Sequence, residues 1–139
     1  MLTRRKTLIL GAAAGAAASL PAAMAAARTW QDIIADFTGG VEPGEGGITI
    51  TAPEIAENGN AVPVTVEAPG ATEIVMVATD NPTPGIGTFR FLEAAGAAMF
   101  ATRIRLGGTQ DILAVARFPD GRLGKARVEV KVTIGGCGG

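Results

Sequence analysis

One side chain in this sequence is placed to do covalent chemistry. Cys137 is the only cysteine among 139 residues, and it stands in the run Gly135-Gly136-Cys137-Gly138-Gly139. Glycine loses more conformational freedom on ordering than any other residue, so a run whose only side chain is a thiol is expected to stay a flexible arm. Fully extended, five residues span about 17 Å, and without neighbouring side chains such an arm is thin enough to enter a narrow channel. The thiol has no activating group nearby in the sequence. There is no His, the nearest cation is Lys131, and a carboxylate at the chain end disfavours a thiolate. An ordinary thiol, with a pKa of about 8.5, is only a few per cent ionised at pH 7. These features suit a carrier, which holds a group covalently while other proteins act on it. The plain alternative is a frayed terminus with an incidental cysteine.

Composition closes off other chemistries. Without His the chain lacks the commonest metal ligand and the commonest general base, so zinc hydrolase, Ser-His and Cys-His schemes have no parts. Glu42, Glu45, Glu54 and Glu57 lie in expected loops without the spacing of a cation-binding loop. The sequence thus predicts no metal, no cofactor and no catalytic residue. A single cysteine forbids an internal disulfide. Lys and Arg total 12 against 13 Asp and Glu. Three of those cations, Arg4, Arg5 and Lys6, cluster at the start, and the acidic remainder has the wrong sign for a nucleic-acid binder. Five Phe, one Trp and no Tyr leave the core to Val, Ile, Leu and Ala, which bury less area each than aromatics do. A partner subunit is expected to complete that core.

The elements that must position the arm follow an export signal. In residues 1–27, Thr3-Arg4-Arg5-Lys6 is a charged start, Leu8 to Leu20 an uncharged Ala-rich stretch, and Ala23-Met24-Ala25 a small-residue site, with cleavage expected after Ala25 or Ala27. Paired arginines before a weakly apolar stretch resemble a twin-arginine signal, which exports folded proteins. A retained membrane anchor is the other reading, and Pro21 and the cleavage pattern weigh against it. The expected location is the bacterial periplasm, an oxidising compartment in which an unpaired cysteine needs a reason.

Residues 28–46 are expected to form a short helix and a linker. Thr29 is a candidate N-cap, Asp32 completes half of a capping box, and Trp30, Ile33, Ile34 and Phe37 recur at helical spacing until Gly39. The glycines between Gly39 and Gly47 suggest a flexible loop. From residue 47 to 134 the pattern changes to short alternating apolar runs cut by turn residues. Seven such runs are present, beginning near Ile48, Val62, Ile74, Phe89, Met99, Ile112 and Ala126. Pro63 suggests an edge strand. Ile74 to Ala78, apolar on both faces, suggests a central one. Pro119-Asp120-Gly121 marks a hairpin between the last two runs. Met76 and Met99 are expected in the core. In the final run Ala126, Val128, Val130, Val132 and Ile134 should face inward, opposite Lys125, Arg127, Glu129 and Lys131. Seven short strands in about 90 residues favour an all-β, immunoglobulin-like sandwich, because both apolar faces then find a partner. Residues 135–139 are the arm.

Charge is uneven along this body. From Arg28 to Phe89 there are one cation and nine anions, and from Arg90 to Gly139 eight cations and four anions. Arg103, Arg105, Lys125, Arg127 and Lys131 could attract small anions or acidic partner surfaces. Their alternation with apolar residues is also what a solvated sheet face requires, and that simpler reading is preferred here.

Taken with the twin-arginine start, two segments carry a family resemblance: Val132-Thr133-Ile134-Gly135-Gly136-Cys137-Gly138-Gly139 at the end, and Ile55-Ala56-Glu57-Asn58-Gly59-Asn60-Ala61-Val62-Pro63-Val64 near the start of the sandwich. The chain resembles the SoxY family, the sulfur-carrier subunits of bacterial thiosulfate oxidation, over its whole length. The resemblance implies an immunoglobulin-like body paired with a SoxZ-like subunit, and export of the folded pair. It implies that Cys137 holds the substrate on an arm formed by Gly135, Gly136, Gly138 and Gly139. A SoxAX-type haem enzyme would load the thiol, a SoxB-type hydrolase would release sulfate, and a sulfur dehydrogenase would act where present. Three rivals differ in class. A ubiquitin-like carrier activated at its terminal carboxylate would need cytosolic ATP chemistry and a helix between strands. An exported structural or interaction module would dimerise through an intermolecular disulfide at Cys137. A thiol enzyme lacks a base.

Overall fold

The computed structural model describes residues 27–92 and 96–135; the expectations for the export signal up to residue 26 and for Gly136, Cys137, Gly138 and Gly139 lie outside the described residues. The described part begins with α1, Trp30–Thr38. Its capping box is closed from both sides. The Asp32 N–H donates to the Thr29 hydroxyl at 3.2 Å, and the Thr29 N–H donates to the Asp32 carboxylate at 3.0 Å. Hydrogen bonds to its carboxylate, first from the Thr29 N–H and then from the Thr29 hydroxyl, lower the Asp32 pKa from its ordinary value. Gly39 ends the helix in the left-handed region, at φ 67°, where a Cβ would be strained.

Nine strands follow among the described residues: β1 Gly44–Glu45, β2 Thr49–Thr51, β3 Ile55–Ala56, β4 Val62–Glu67, β5 Glu73–Ala78, β6 Gly85–Arg90, β7 Met99–Ile104, β8 Gln110–Arg117 and β9 Leu123–Val132. The larger sheet runs in the order β1-β9-β8-β5-β6, with β3 also pairing β9, and the smaller in the order β2-β4-β7. β1 and β3 run parallel to β9, while all other pairs are antiparallel. The seven longer strands correspond to the seven apolar runs of the sequence. This is the expected all-β, immunoglobulin-like sandwich.

The two sheets bury Val62, Val64 and Val66 of β4 against Ile74, Met76, Ile112 and Val130 of the larger sheet, with Leu106 beside them. Each such aliphatic side chain contributes about 1.5–3 kcal/mol when taken fully out of water. A second cluster explains why β5 and β8 are apolar on both faces. Ile33, Ile34 and Phe37 of α1 cover Val75, Val115 and Leu123 on the outer side of the larger sheet. Arg117 pins the end of α1 from that sheet, donating to the Phe37 carbonyl and lying over its ring.

Several local expectations are corrected. Pro63 lies in β4, the middle strand of its sheet, yet β2 ends opposite Thr65, so the strand has an edge on that side at the proline. The fourth strand starts at Gly85, several residues before Phe89, because Gly85 and Gly87 pair with Val77 and Met76. Glycine carries no strand signal of its own, and only this long-range pairing makes the segment regular. Met99 is exposed, sharing parity with Ala101 and Arg103, whereas its neighbour Phe100 turns inward and stacks on Phe89 at 3.8 Å. Ile134 is 68% exposed because β9 ends before it. The glycine-rich tract after α1 is fastened to the sheet through β1, and the Gly46 N–H donates to the Lys125 carbonyl.

Candidate functional site

The chain leaves β9 at Val132, and the next three residues are held at several points. The Thr133 N–H donates to the Ala56 carbonyl at 3.1 Å, and its hydroxyl donates to the Glu57 carbonyl at 3.1 Å. The Gly59 N–H donates to the Ile134 carbonyl at 2.7 Å. Gly59 in turn accepts from the Leu106 N–H at 2.8 Å, so the segment between β3 and β4 ties the root of the arm to the turn after β7. A Cβ added at Gly135 would overlap the Gly107 carbonyl oxygen. Glycine is required there by close backbone approach as well as by any need for flexibility.

The segment Ile55 to Val64 therefore has a concrete role. It contributes the parallel β3, whose Ile55 and Ala56 align with Lys131 and Val132, and then the Asn58-Gly59-Asn60 turn that grips Ile134. Sequence inspection marked this segment and the arm separately, without a reason to join them. The turn that receives Gly135 is itself braced. Asn81 donates through its side-chain amide to the Arg105 carbonyl at 2.8 Å and accepts from the Gly107 N–H at 3.0 Å. Buried Gln110 donates to the same Asn81 oxygen at 2.7 Å. No local sequence signal pointed to this Asn81–Gln110 pair, because 29 positions separate the two residues. Exposed Ile55 and Ile134 flank the root of the arm.

The five cations singled out in the sequence have different surroundings. Lys125 meets Glu42 at 3.1 Å and Glu45 at 3.5 Å, and the hydrogen bond that it donates to Glu42 pushes its pKa up. Arg127 meets Asp111 and lies 5.7 Å from the Trp30 ring centroid. Arg103, Arg105 and Lys131 have no ion pair among the described residues. Also among the described residues, no group of three His, Cys, Asp or Glu side chains is arranged to hold a metal ion, and no helix is long and apolar enough to cross a membrane.

The fold and this root define a class, an immunoglobulin-like sandwich whose last strand is clamped at the point where a short Gly-Cys-Gly sequence begins. The chain matches the family model of the sulfur oxidation protein SoxY over residues 34–137, and it belongs to that family. Among solved structures it is similar to the sulfur carrier protein SoxY from Chlorobium limicola f thiosulfatophilum, at 39% identity and a TM-score of 0.64, covering 75% of this chain and 96% of that one. It also resembles a superoxide reductase (neelaredoxin) from Ignicoccus hospitalis at 21% identity and a TM-score of 0.50, covering 63% of this chain and 80% of that one. The latter likeness concerns the fold alone. No curated protein matches the chain.

Proposed function

We propose that the protein is a periplasmic sulfur carrier that holds intermediates of sulfur oxidation covalently on Cys137 and presents them to separate enzymes. The observation that carries this reading is the family match, which extends through Cys137. The 39% identity to a protein described as a sulfur carrier supports it. Loading joins the Cys137 sulfur to the outer sulfur of thiosulfate, giving a Cys–S–S–SO3⁻ adduct, and two electrons leave to the haem of a SoxAX-type enzyme. Hydrolysis by a SoxB-type enzyme then adds water across the bond to the sulfonate sulfur, releasing sulfate and two protons and leaving a persulfide. A sulfur dehydrogenase, where the host has one, oxidises the persulfide sulfur further. The carrier itself catalyses none of these steps, in keeping with a thiol that has no base beside it in the sequence. A SoxZ-like subunit pairs with the sandwich, and twin-arginine export of the folded pair requires only one signal.

Within this scheme the described residues act as a mount. The clamp at Thr133, Ile134 and Gly135 holds the origin of the arm beside the Gly107 turn. The test is Cys137→Ser in a reconstituted system with purified partners. Serine keeps the shape but cannot form the sulfur-sulfur bond. Thiosulfate-dependent turnover should be abolished while circular dichroism and partner binding stay unchanged. Retained turnover would overturn the proposal. Native mass spectrometry separates the rival: sulfur adducts on Cys137 support the carrier, whereas a disulfide-linked dimer without adducts supports an exported interaction module.

A further inference from the structure

Arg103 and Arg105 are separated by buried Ile104, so strand geometry puts both side chains on the outer face of the smaller sheet. Both are exposed and lack an acidic partner among the described residues. Together with Asn60, Asn81, Thr83 and Thr102 they line an open groove of about 510 Å³ that contains no carboxylate in its lining. Its walls are fixed by the bonds already described, since Asn81 is held by Gln110 and Gly107, and Asn60 donates its N–H to Asn58 at 2.9 Å. The groove adjoins the root of the arm. Gly107, against which Gly135 rests, is two residues from Arg105, and Gly59, which grips Ile134, is next to Asn60.

We infer that this groove receives the sulfonate end of an adduct on Cys137, so that the arm docks on its own sandwich when the cargo is an oxyanion and leaves when the sulfonate has been removed. The inference rests on the carrier reading above and adds a site to it. The occupant is fixed by reach and charge. Two residues span at most about 7 Å, so Cys137 and the Arg105 backbone each lie within that distance, along the chain, of the Gly135–Gly107 contact. Guanidinium groups match oxyanions with paired N–H donors and stay charged at any physiological pH. A sulfonate offers three acceptor oxygens and a full negative charge, whereas a sulfur chain without oxygens offers no comparable set. Two unneutralised arginines beside the tether thus discriminate between cargo states. Lys131, the other described cation without an ion pair, does not line the groove.

The test loads the thiol without any enzyme. Tetrathionate reacts with the Cys137 thiolate, which attacks a central sulfur, forms Cys–S–S–SO3⁻ and expels thiosulfate with the bonding electron pair. Methyl methanethiosulfonate gives the neutral Cys–S–S–CH3 adduct and expels methanesulfinate. Because Cys137 is the only thiol, intact mass verifies each product. In 15N NMR spectra of the purified protein, the sulfonate adduct should shift the Arg103 and Arg105 Nε–H signals and the Asn60 and Asn81 amides, and the neutral adduct should leave them in place. In Arg103→Gln/Arg105→Gln, the sulfonate adduct should form to the same mass while the Asn60 and Asn81 shifts are lost. A fully loaded protein without these shifts, equal shifts with the neutral adduct, or shifts that persist in the double variant would each overturn the docking site. None of these readouts uses turnover, so docking can fail with the carrier reading intact. Conversely, turnover retained by Cys137→Ser would overturn the carrier reading without altering the adduct spectra.

Discussion

Strand β9 and the segment from β7 through Arg105 both place cations at alternate positions, yet the cations end in different circumstances. On β9, Lys125 and Arg127 face acids supplied by other segments, Glu42 and Glu45 from the tract after α1 and Asp111 from β8. On β7, Arg103 lies opposite Pro63 of β4, and β7 forms the edge of its sheet. No acid stands across from either arginine. Alternation sets exposure in both strands, while the neighbouring strand decides whether an exposed charge is neutralised. Lys125 and Arg127 therefore contribute to the fold, while Arg103 and Arg105 remain available to a ligand.

The difference can be broken or sharpened by mutation. The largest effect is expected at Gly124, where a Cβ would overlap the Gly46 carbonyl oxygen. Gly124→Ala should force β1 away from β9, withdraw Glu42 and Glu45 from Lys125, and cost about 1–3 kcal/mol, as overpacking of a closely fitted site does. Thermal unfolding followed by circular dichroism measures this, and an unchanged midpoint would show that the tract after α1 does not hold Lys125. A smaller loss is expected for Arg127→Ala. It removes a partly exposed ion pair and the contact with Trp30, together about 0.5–1 kcal/mol. The matched change at the end of β7, Arg103→Gln/Arg105→Gln, should alter stability by less than about 0.5 kcal/mol. If the β7 pair proved as costly as Arg127, the contrast between the strands would disappear.

The smallest effect concerns Lys125 at alkaline pH. Its folded pKa is raised above the ordinary value of 10.5 by Glu42 and Glu45. Its contribution is thus fully present below the unfolded pKa and is lost as pH rises through the folded one. The midpoint difference between wild type and Lys125→Met should stay constant from neutral pH to about pH 10 and narrow above it. A difference that is flat across the alkaline range would remove the Glu42 and Glu45 contacts from the account of stability.

How much of the site was legible in the sequence depended on the range of the interaction. The capping box at Thr29 and Asp32, the Gly39 stop and the β8–β9 hairpin were all readable, because each involves groups a few residues apart whose local geometry leaves few options. The double-faced apolar run of β5 announced a central strand for the same reason. It did not announce that α1 is what covers its outer face. Met99 was misplaced because its apolar character outweighed its parity with Arg103, and parity is what the pleat enforces. The start of β6 was hidden by glycines that only their partners on β5 make regular.

The sequence by itself determined that one thiol stands among glycines with no base beside it, and that the body before it is a sandwich of short strands. These properties follow from residue type and from periodicities shorter than a turn of chain. Only the tertiary structure decided where the arm is rooted, which glycine is needed for close approach, and which cations stay unpaired. Gly59 meets Ile134, Gly107 meets Gly135, and Asn81 meets Gln110 across separations that no local pattern encodes. Folding brings these groups together because the two sheets must share one core, and the loops at that end of the sandwich are drawn into contact by the strands they connect.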